Sequence, residues 1–420
     1  LYQKTVLDNG LRIVTSAMPH TRSVCISLFI GTGSRYEEDA EGGISHFIEH
    51  LLFKGSAKRP NPGEISAAIE GIGGILNGGT DKELTVYWCK VAQDRFSQAL
   101  DVLTDMLLHP IFEPKEIDKE RHVIIEEINM SKDSPAQEVN ILIDELLFSG
   151  HPLGRDIAGT RESVSAMSRE HMLDYLFRYY QPQNTVASIA GNIKHEKTIE
   201  EVSAVMAGWT SEKLTHRYRH YRPKPANRIK IEKRDIEQAH LCLAIPGLSI
   251  VHPERFKLDL LNIILGQGMS SRLFTEIRDR MGLAYSIHSY VEHFLDSGAL
   301  TIYAGVDTRK LMTAITAILE QMNQIKLNVS DAELTRAKEI SRGRLLLRME
   351  DSHNVAGWLG GQEVLTGKIF TPEEVTSIVD AITTEEIETL ANNIFDGKKL
   401  CLAIVGPVAG EERLLEVLRF

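Results

Sequence analysis

Gly42-Gly-Ile-Ser-His46-Phe-Ile-Glu49-His50-Leu-Leu-Phe-Lys-Gly55 is the segment around which the chain is organised. An α-helix turns by about 100° per residue, so His46 and His50 leave the same face one turn apart, with Glu49 beside them. Two imidazoles so placed can share one divalent metal ion, and a carboxylate in the adjacent slot can take a proton from water there. Gly42-Gly43 ends whatever precedes, Ser45 is the expected cap and Lys54-Gly55 the expected stop, so the helix is predicted independently of the H-x-x-E-H spacing. The same spacing also fits an amphipathic core helix whose polar face carries two histidines. A third ligand separates these readings.

At 420 residues the chain exceeds what one hydrophobic core serves, which predicts two or more domains. Its 43% hydrophobic and 25% charged residues are those of a soluble globular protein. Apolar runs such as Leu241 to Ile245 are far too short to cross a bilayer, and Leu1-Tyr-Gln-Lys-Thr-Val-Leu has no signal- or transit-peptide pattern, so no membrane partner is expected. A net charge of −11 argues against sequence-independent nucleic-acid binding, which needs an excess of lysine and arginine, and permits cationic peptides as partners. Cys25, Cys89, Cys242 and Cys401 are widely spaced, each in an apolar strand-like run. They read as buried reduced thiols, with no C-x-x-C zinc site and no disulfide frame.

Upstream of the histidine segment, Asp8-Asn9-Gly10 predicts a hairpin turn between strand-like pieces, and Val24 to Ile30 predicts another strand. Downstream, Glu64 to Ile72 reads as a short helix. The run from Gly73 through Asn77-Gly-Gly-Thr to Tyr87 reads as two strands, glycine-rich enough for another backbone to approach or for a bulge. Gln93 to Leu108 is helical in period, and a second long helix opens at Pro114. On it Glu120 and Glu127 lie two turns apart on a face shared with Val123 and Ile124. A charge on a partly apolar face needs a partner. Glu127 is therefore the candidate third ligand, Glu120 a supporting carboxylate, and Glu126 should point elsewhere; a solvated acidic face is the alternative.

Val164 to Met172 followed by Asn184 to Ile193 has a counterpart in Val379 to Ile387 followed by Lys399 to Val408, both offset by 215 positions. A constant offset in the same order predicts an internal duplication, and each half interleaves strands and helices in an α+β pattern. The expected domains are 1–210, which carries the metal ligands, and 229–420, joined by a polar, basic linker over 211–228. The second half has no H-x-x-E-H; Lys257 to Phe274 offers an apolar helix there instead. Ser270 to Gly282 reads as a helix leading into a strand that opens with Tyr285. His288 and His293 read as surface or packing residues.

Four local matches, His46-Phe-Ile-Glu49-His50, Glu120 to Glu127, Asn77 with Glu83 to Tyr87, and Leu273 to Arg278 through Gly282-Leu-Ala-Tyr285, carry a whole-chain resemblance to the pitrilysin-like family of inverted-motif zinc peptidases. The chain is most similar to the branch that includes the catalytic β subunit of mitochondrial processing peptidase and its bacterial relatives. The resemblance implies two homologous α+β domains forming half-shells around a peptide chamber. It implies Zn2+ on His46, His50 and Glu127, for which Co2+ or Mn2+ can substitute. Glu49 is implied as general base, Glu120 as a carboxylate that supports the site, and Asn77, Arg278 and Tyr285 as substrate-binding residues. Gly78-Gly79 departs from relatives that carry small residues such as alanine after the asparagine. The implied partners are a peptide substrate and a second copy of the chain, and the expected compartment is a bacterial cytoplasm rather than a mitochondrial matrix. A noncatalytic peptide-binding or scaffold subunit is the alternative function.

Overall fold

The computed structural model describes residues 2–210, 218–223, 227–408 and 411–418. Parts of the expected linker, 211–217 and 224–226, lie outside the described residues. The remainder forms two sheets. In the first half β1 (Tyr2–Val6), β2 (Arg12–Ala17), β3 (Ser23–Ile30), β4 (Ile75–Thr80), β5 (Thr85–Ala92) and β6 (Thr185–Gly191) order as β1-β2-β6-β3-β5-β4. In the second, β7 (Ile229–Lys233), β8 (Gln238–Pro246), β9 (Ala284–His293), β10 (Gly298–Asp307) and β11 (Cys401–Gly406) order as β7-β11-β8-β10-β9. With β1 set aside the two orders correspond strand for strand, and each pairs its first two members in parallel and the rest antiparallel.

The compact units do not follow the division at 210 and 229. One comprises Leu1–Ile128, Arg155–Arg219 and Leu346–Thr371; the other comprises Asn129–Gly154, His220–Leu345 and Pro372–Phe420. Each half of the chain therefore lends one helix to the sheet built by the other. The Ser352–Thr366 helix covers β3 and β6, and the Pro135–Leu147 helix covers β8 and β11.

Covering both faces explains why β3 is apolar without alternation. Val24, Ile26, Leu28 and Ile30 enter the core shared with the histidine helix, while Cys25 and Phe29 pack with Val355, Ala356 and Leu359 on the opposite face. Each such side chain contributes about 1.5–3 kcal/mol when fully buried, so uncovering either face costs several such increments. The lent helix approaches very closely. A Cβ at Gly360 would run into the Phe29 ring. Ser188 Oγ donates to the Ala356 carbonyl at 2.8 Å. Buried Glu363 is paired with Lys4 at 2.5 Å, which removes the penalty of an isolated charge on that face. In the second unit Val139, Ile143 and Leu146 of the other lent helix meet Cys242, Ala403 and Val405. All four cysteines are buried and free, as the strand-like runs around them predict. The apolar helix expected over Lys257 to Phe274 spans Arg255–Gly266 and stops there. A Cβ at 266 would collide with Ser289 of β9, and Gly268 follows in the left-handed region.

Candidate metal centre

The histidine helix spans Ile44–Leu52. Ile44, Phe47, Ile48, Leu51 and Leu52 are buried, leaving His46, Glu49 and His50 on the remaining, half-buried face. Its start is not capped by Ser45. Gly43 is the N-cap, at φ 92° and so close to its neighbours that a Cβ would lie 2.5 Å from the Ala158 carbonyl oxygen. Glycine has no side chain with which to cap. The acceptor comes instead from Glu37, whose two carboxylate oxygens take the N–H groups of Gly43 and Ser45, each at 2.9 Å. Ser45 lies inside the first turn, where its hydroxyl pairs with Tyr175 at 2.8 Å.

The second long helix, Pro114–Asp133, buries Ile117, Glu120, Ile124 and Ile128 as one stripe. Glu120 is tolerated there because it is fully engaged: Oε2 lies 3.1 Å from His50 Nδ1, and Oε1 accepts from Lys54 Nζ at 2.8 Å. Burial alone would raise Glu120, but these hydrogen bonds hold it below the usual carboxylate range. Two turns on, Glu127 Oε2 lies 3.8 Å from His46 Nε2 and 3.7 Å from His50 Nε2. Glu126 is exposed and stands outside this group. Among the described residues, His46, His50 and Glu127 are the only group of three or more potential ligands gathered closely enough to hold a metal.

The donor set fits a zinc ion. An ionised carboxylate can only accept, so His50 Nδ1 carries its proton toward Glu120 and Nε2 presents a lone pair. Burial, followed by the neighbouring His50 charge, pushes His46 down to about 4, so its ring is neutral at pH 7. The two Nε2 atoms stand 3.2 Å apart. Two ligands on a tetrahedron with bonds of about 2.0–2.1 Å are separated by about 3.3 Å. Two imidazole nitrogens and one carboxylate also match the three-ligand sets that leave one position open.

Glu49 stands beside this cluster with Oε2 accepting from Thr80 Oγ1 at 2.6 Å. Burial raises it above the usual range against the opposing effects of that hydrogen bond and of His50. Thr80 and Gly78 share one face of the edge strand β4, and a Cβ at 78 would lie 3.2 Å from Glu49 Cγ and the Phe53 ring. The departure at Gly78 thus leaves room for Glu49. Asn77 projects from the opposite face, exposed, with Oδ1 accepting from the Gly78 N–H at 2.8 Å. It is not among the side chains gathered at the cluster.

Arg278 and Tyr285 belong to the second unit. Arg278 lies on the helical turn Phe274–Arg280, its guanidinium 4.5 Å from the centre of the Phe274 ring. Tyr285 is 78% exposed at the start of β9 and lines a cavity of about 600 Å³ with Gln238, Asp307 and Arg309. His293 is a packing residue, held by the Leu248 carbonyl at 2.6 Å and Asp259 at 3.2 Å. Thr80, Lys54 and Glu37 have site contacts that the sequence reading did not assign. Lys54 had a signal, since it follows His50 by one helical turn.

Residues 12–161 match the family model described as insulinase, peptidase family M16, and residues 166–341 match the peptidase M16 inactive domain. An uncharacterized zinc protease of Bacillus subtilis is 36% identical over 97% of this chain and 98% of its own length. The chain belongs to peptidase family M16. Another M16 relative, an uncharacterized zinc protease of Mycobacterium leprae, is 36% identical over 99% of this chain and 94% of its own. A protease from Helicobacter pylori shares the M16 fold at a TM-score of 0.92, with 20% identity and coverage of 97% and 99% of the two chains. Among the described residues no helix is long and apolar enough to cross a membrane.

Proposed function

We propose that this M16 chain is a zinc-dependent endopeptidase acting on extended or unfolded peptides. The observation that carries the reading is the complete set at one site: His46, His50 and Glu127 as a zinc-compatible triad, Glu120 on the far nitrogen of His50, and Glu49 free of the triad but adjacent to it. A zinc ion held by His46, His50 and Glu127 would supply Lewis acidity, making a bound water acidic enough to lose its proton near neutral pH. Glu49 is the proton carrier. With Oε2 accepting from Thr80, the Glu49 carboxylate takes a proton from the attacking water and returns it to the leaving amine. Its burial raises its proton affinity, the direction that suits a group that takes up and returns a proton.

An extended peptide is the natural substrate because β4 is a sheet edge whose outer backbone groups can pair with an added strand. Asn77 is assigned to the flank of that peptide, and Arg278 and Tyr285 to its backbone and the developing oxyanion, on the strength of the family resemblance. Cleavage of a quenched extended peptide should stop on chelation and return with stoichiometric zinc, and Co2+ or Mn2+ should restore part of it. Turnover that survives complete metal removal rejects the zinc mechanism, and absence of turnover in the zinc-loaded chain rejects the reading in favour of a scaffold or peptide-binding subunit. The proposed assembly is a homodimer, and light scattering showing a fully active monomer rejects that part alone.

A further inference from the structure

The two ligand histidines are held differently. His50 is oriented through its ring, since Nδ1 meets Glu120. Among the described residues His46 Nδ1 is buried and has no hydrogen-bond partner. Metal-binding histidines ordinarily have their second nitrogen fixed by a carboxylate, carbonyl or water. No described protein group fixes the His46 ring through Nδ1, so its direction depends on the backbone that carries it, in the first turn of the helix, where N–H groups lack intrahelical partners and helices fray.

That turn is clamped from outside by one residue. Glu37 is 3% exposed, and its two oxygens span the Gly43 and Ser45 N–H groups, the second of these immediately before His46. Arg155 Nη1 donates to the Glu37 carbonyl at 2.9 Å, which fixes the backbone that presents the carboxylate. On the other side Ser163 Oγ donates to the Gly42 carbonyl at 2.7 Å, so the chain entering the helix is held as well. The Ser45 hydroxyl continues through Tyr175 to Thr32, each at 2.8 Å. Once ionised, the carboxylate also suits the positive end of the helix dipole.

We propose that Glu37 is a positioning residue for the metal centre, setting the direction of His46 through the helix backbone as Glu120 sets that of His50 through its ring. The inference rests on the triad being a metal site. Removal of a partner that orients a ligand typically weakens metal binding about 10- to 100-fold.

The test compares wild type, Glu37→Gln and Glu37→Asp. Glutamine keeps the volume but has one acceptor for two N–H groups; aspartate keeps the charge but cannot span both, and serves if the glutamine variant does not fold. In metal-free protein, hydrogen exchange of the segment covering Gly43 to His46 and diethyl pyrocarbonate labelling of His46 relative to His50 should both accelerate at least about 10-fold, matching the lower end of the expected affinity change. With zinc, competition against a chromogenic chelator should show weakening by about 10- to 100-fold while thermal stability at pH 8 is not lowered. Faster exchange with unchanged His46 labelling and unchanged zinc affinity overturns the proposal and leaves Glu37 a helix cap only. A wild type that takes up no zinc refutes the metal reading. In that case the labelling ratio alone judges Glu37, and an unchanged ratio overturns it.

Discussion

The two halves of the chain build sheets of nearly the same strand order, yet the first α-helix of each half has a different surface. Ile44–Leu52 buries one face and turns His46, Glu49 and His50 toward the other. Arg255–Gly266 buries Leu258, Leu260, Leu261, Ile263, Ile264 and Leu265, an apolar belt on most of its circumference. One topology therefore accommodates a ligand helix and a packing helix alike. The sheet order is fixed by apolar burial and strand pairing, and the candidate metal ligands are an addition to one copy.

The largest expected effect confines metal binding to the first unit. His50→Ala should reduce bound zinc from one per chain to none and abolish peptide cleavage, whereas His288→Ala in the second unit should leave zinc unchanged by metal analysis. Zinc loss in the second variant would break the contrast. Next, Arg278→Ala and Tyr285→Phe should each lower turnover by about 10²–10³ with zinc retained, if the second unit contributes substrate contacts alone. Zinc loss in either would give the second unit a part in the metal site.

A pH dependence should separate the units further. Burial pushes Glu37 up to about 7 from 4.5, against the Gly43 and Ser45 N–H groups and the Arg155 charge, and Tyr175 faces it across the first turn. The folded chain thus keeps a proton there that the unfolded chain releases. Its stabilising contribution is fully present below about pH 4.5 and is lost as pH rises through about 7, on the order of 3 kcal/mol in all. Urea unfolding at pH 5 and pH 8 should show this loss in wild type and a smaller one in Glu37→Gln. Equal losses would assign the slope to other groups. Last, Gly360→Val should destabilise the first sheet by about 1–3 kcal/mol through overpacking on Phe29, read as a lower denaturation midpoint. An unchanged midpoint would deny the close seat of the lent helix.

Much of this was legible in the chain because the signals are local. Two histidines one turn apart, acids two turns apart on an apolar stripe, and a repeat at a constant offset of 215 each follow from periodicity. The exchange of helices was not. Ser352–Thr366 carries glycine and apolar residues on several sides, so its sequence marks a buried helix without saying which sheet it covers; that depends on the fit of Gly360 to Phe29. Glu37 escaped for a related reason. A cap is expected at the N-cap residue itself, and here the acceptor lies six residues before Gly43. Thr80 is one hydroxyl among several at a strand end, and only the distance to Glu49 gives it a role.

In the proposed function the triad holds the metal while Glu49 performs the proton transfer. The direct measurement is zinc content together with single-turnover cleavage of a quenched extended peptide by wild type and Glu49→Gln. The account expects one zinc per chain in both proteins and a rate about 10²–10⁴ lower in the variant. Undiminished cleavage by zinc-loaded Glu49→Gln would contradict it.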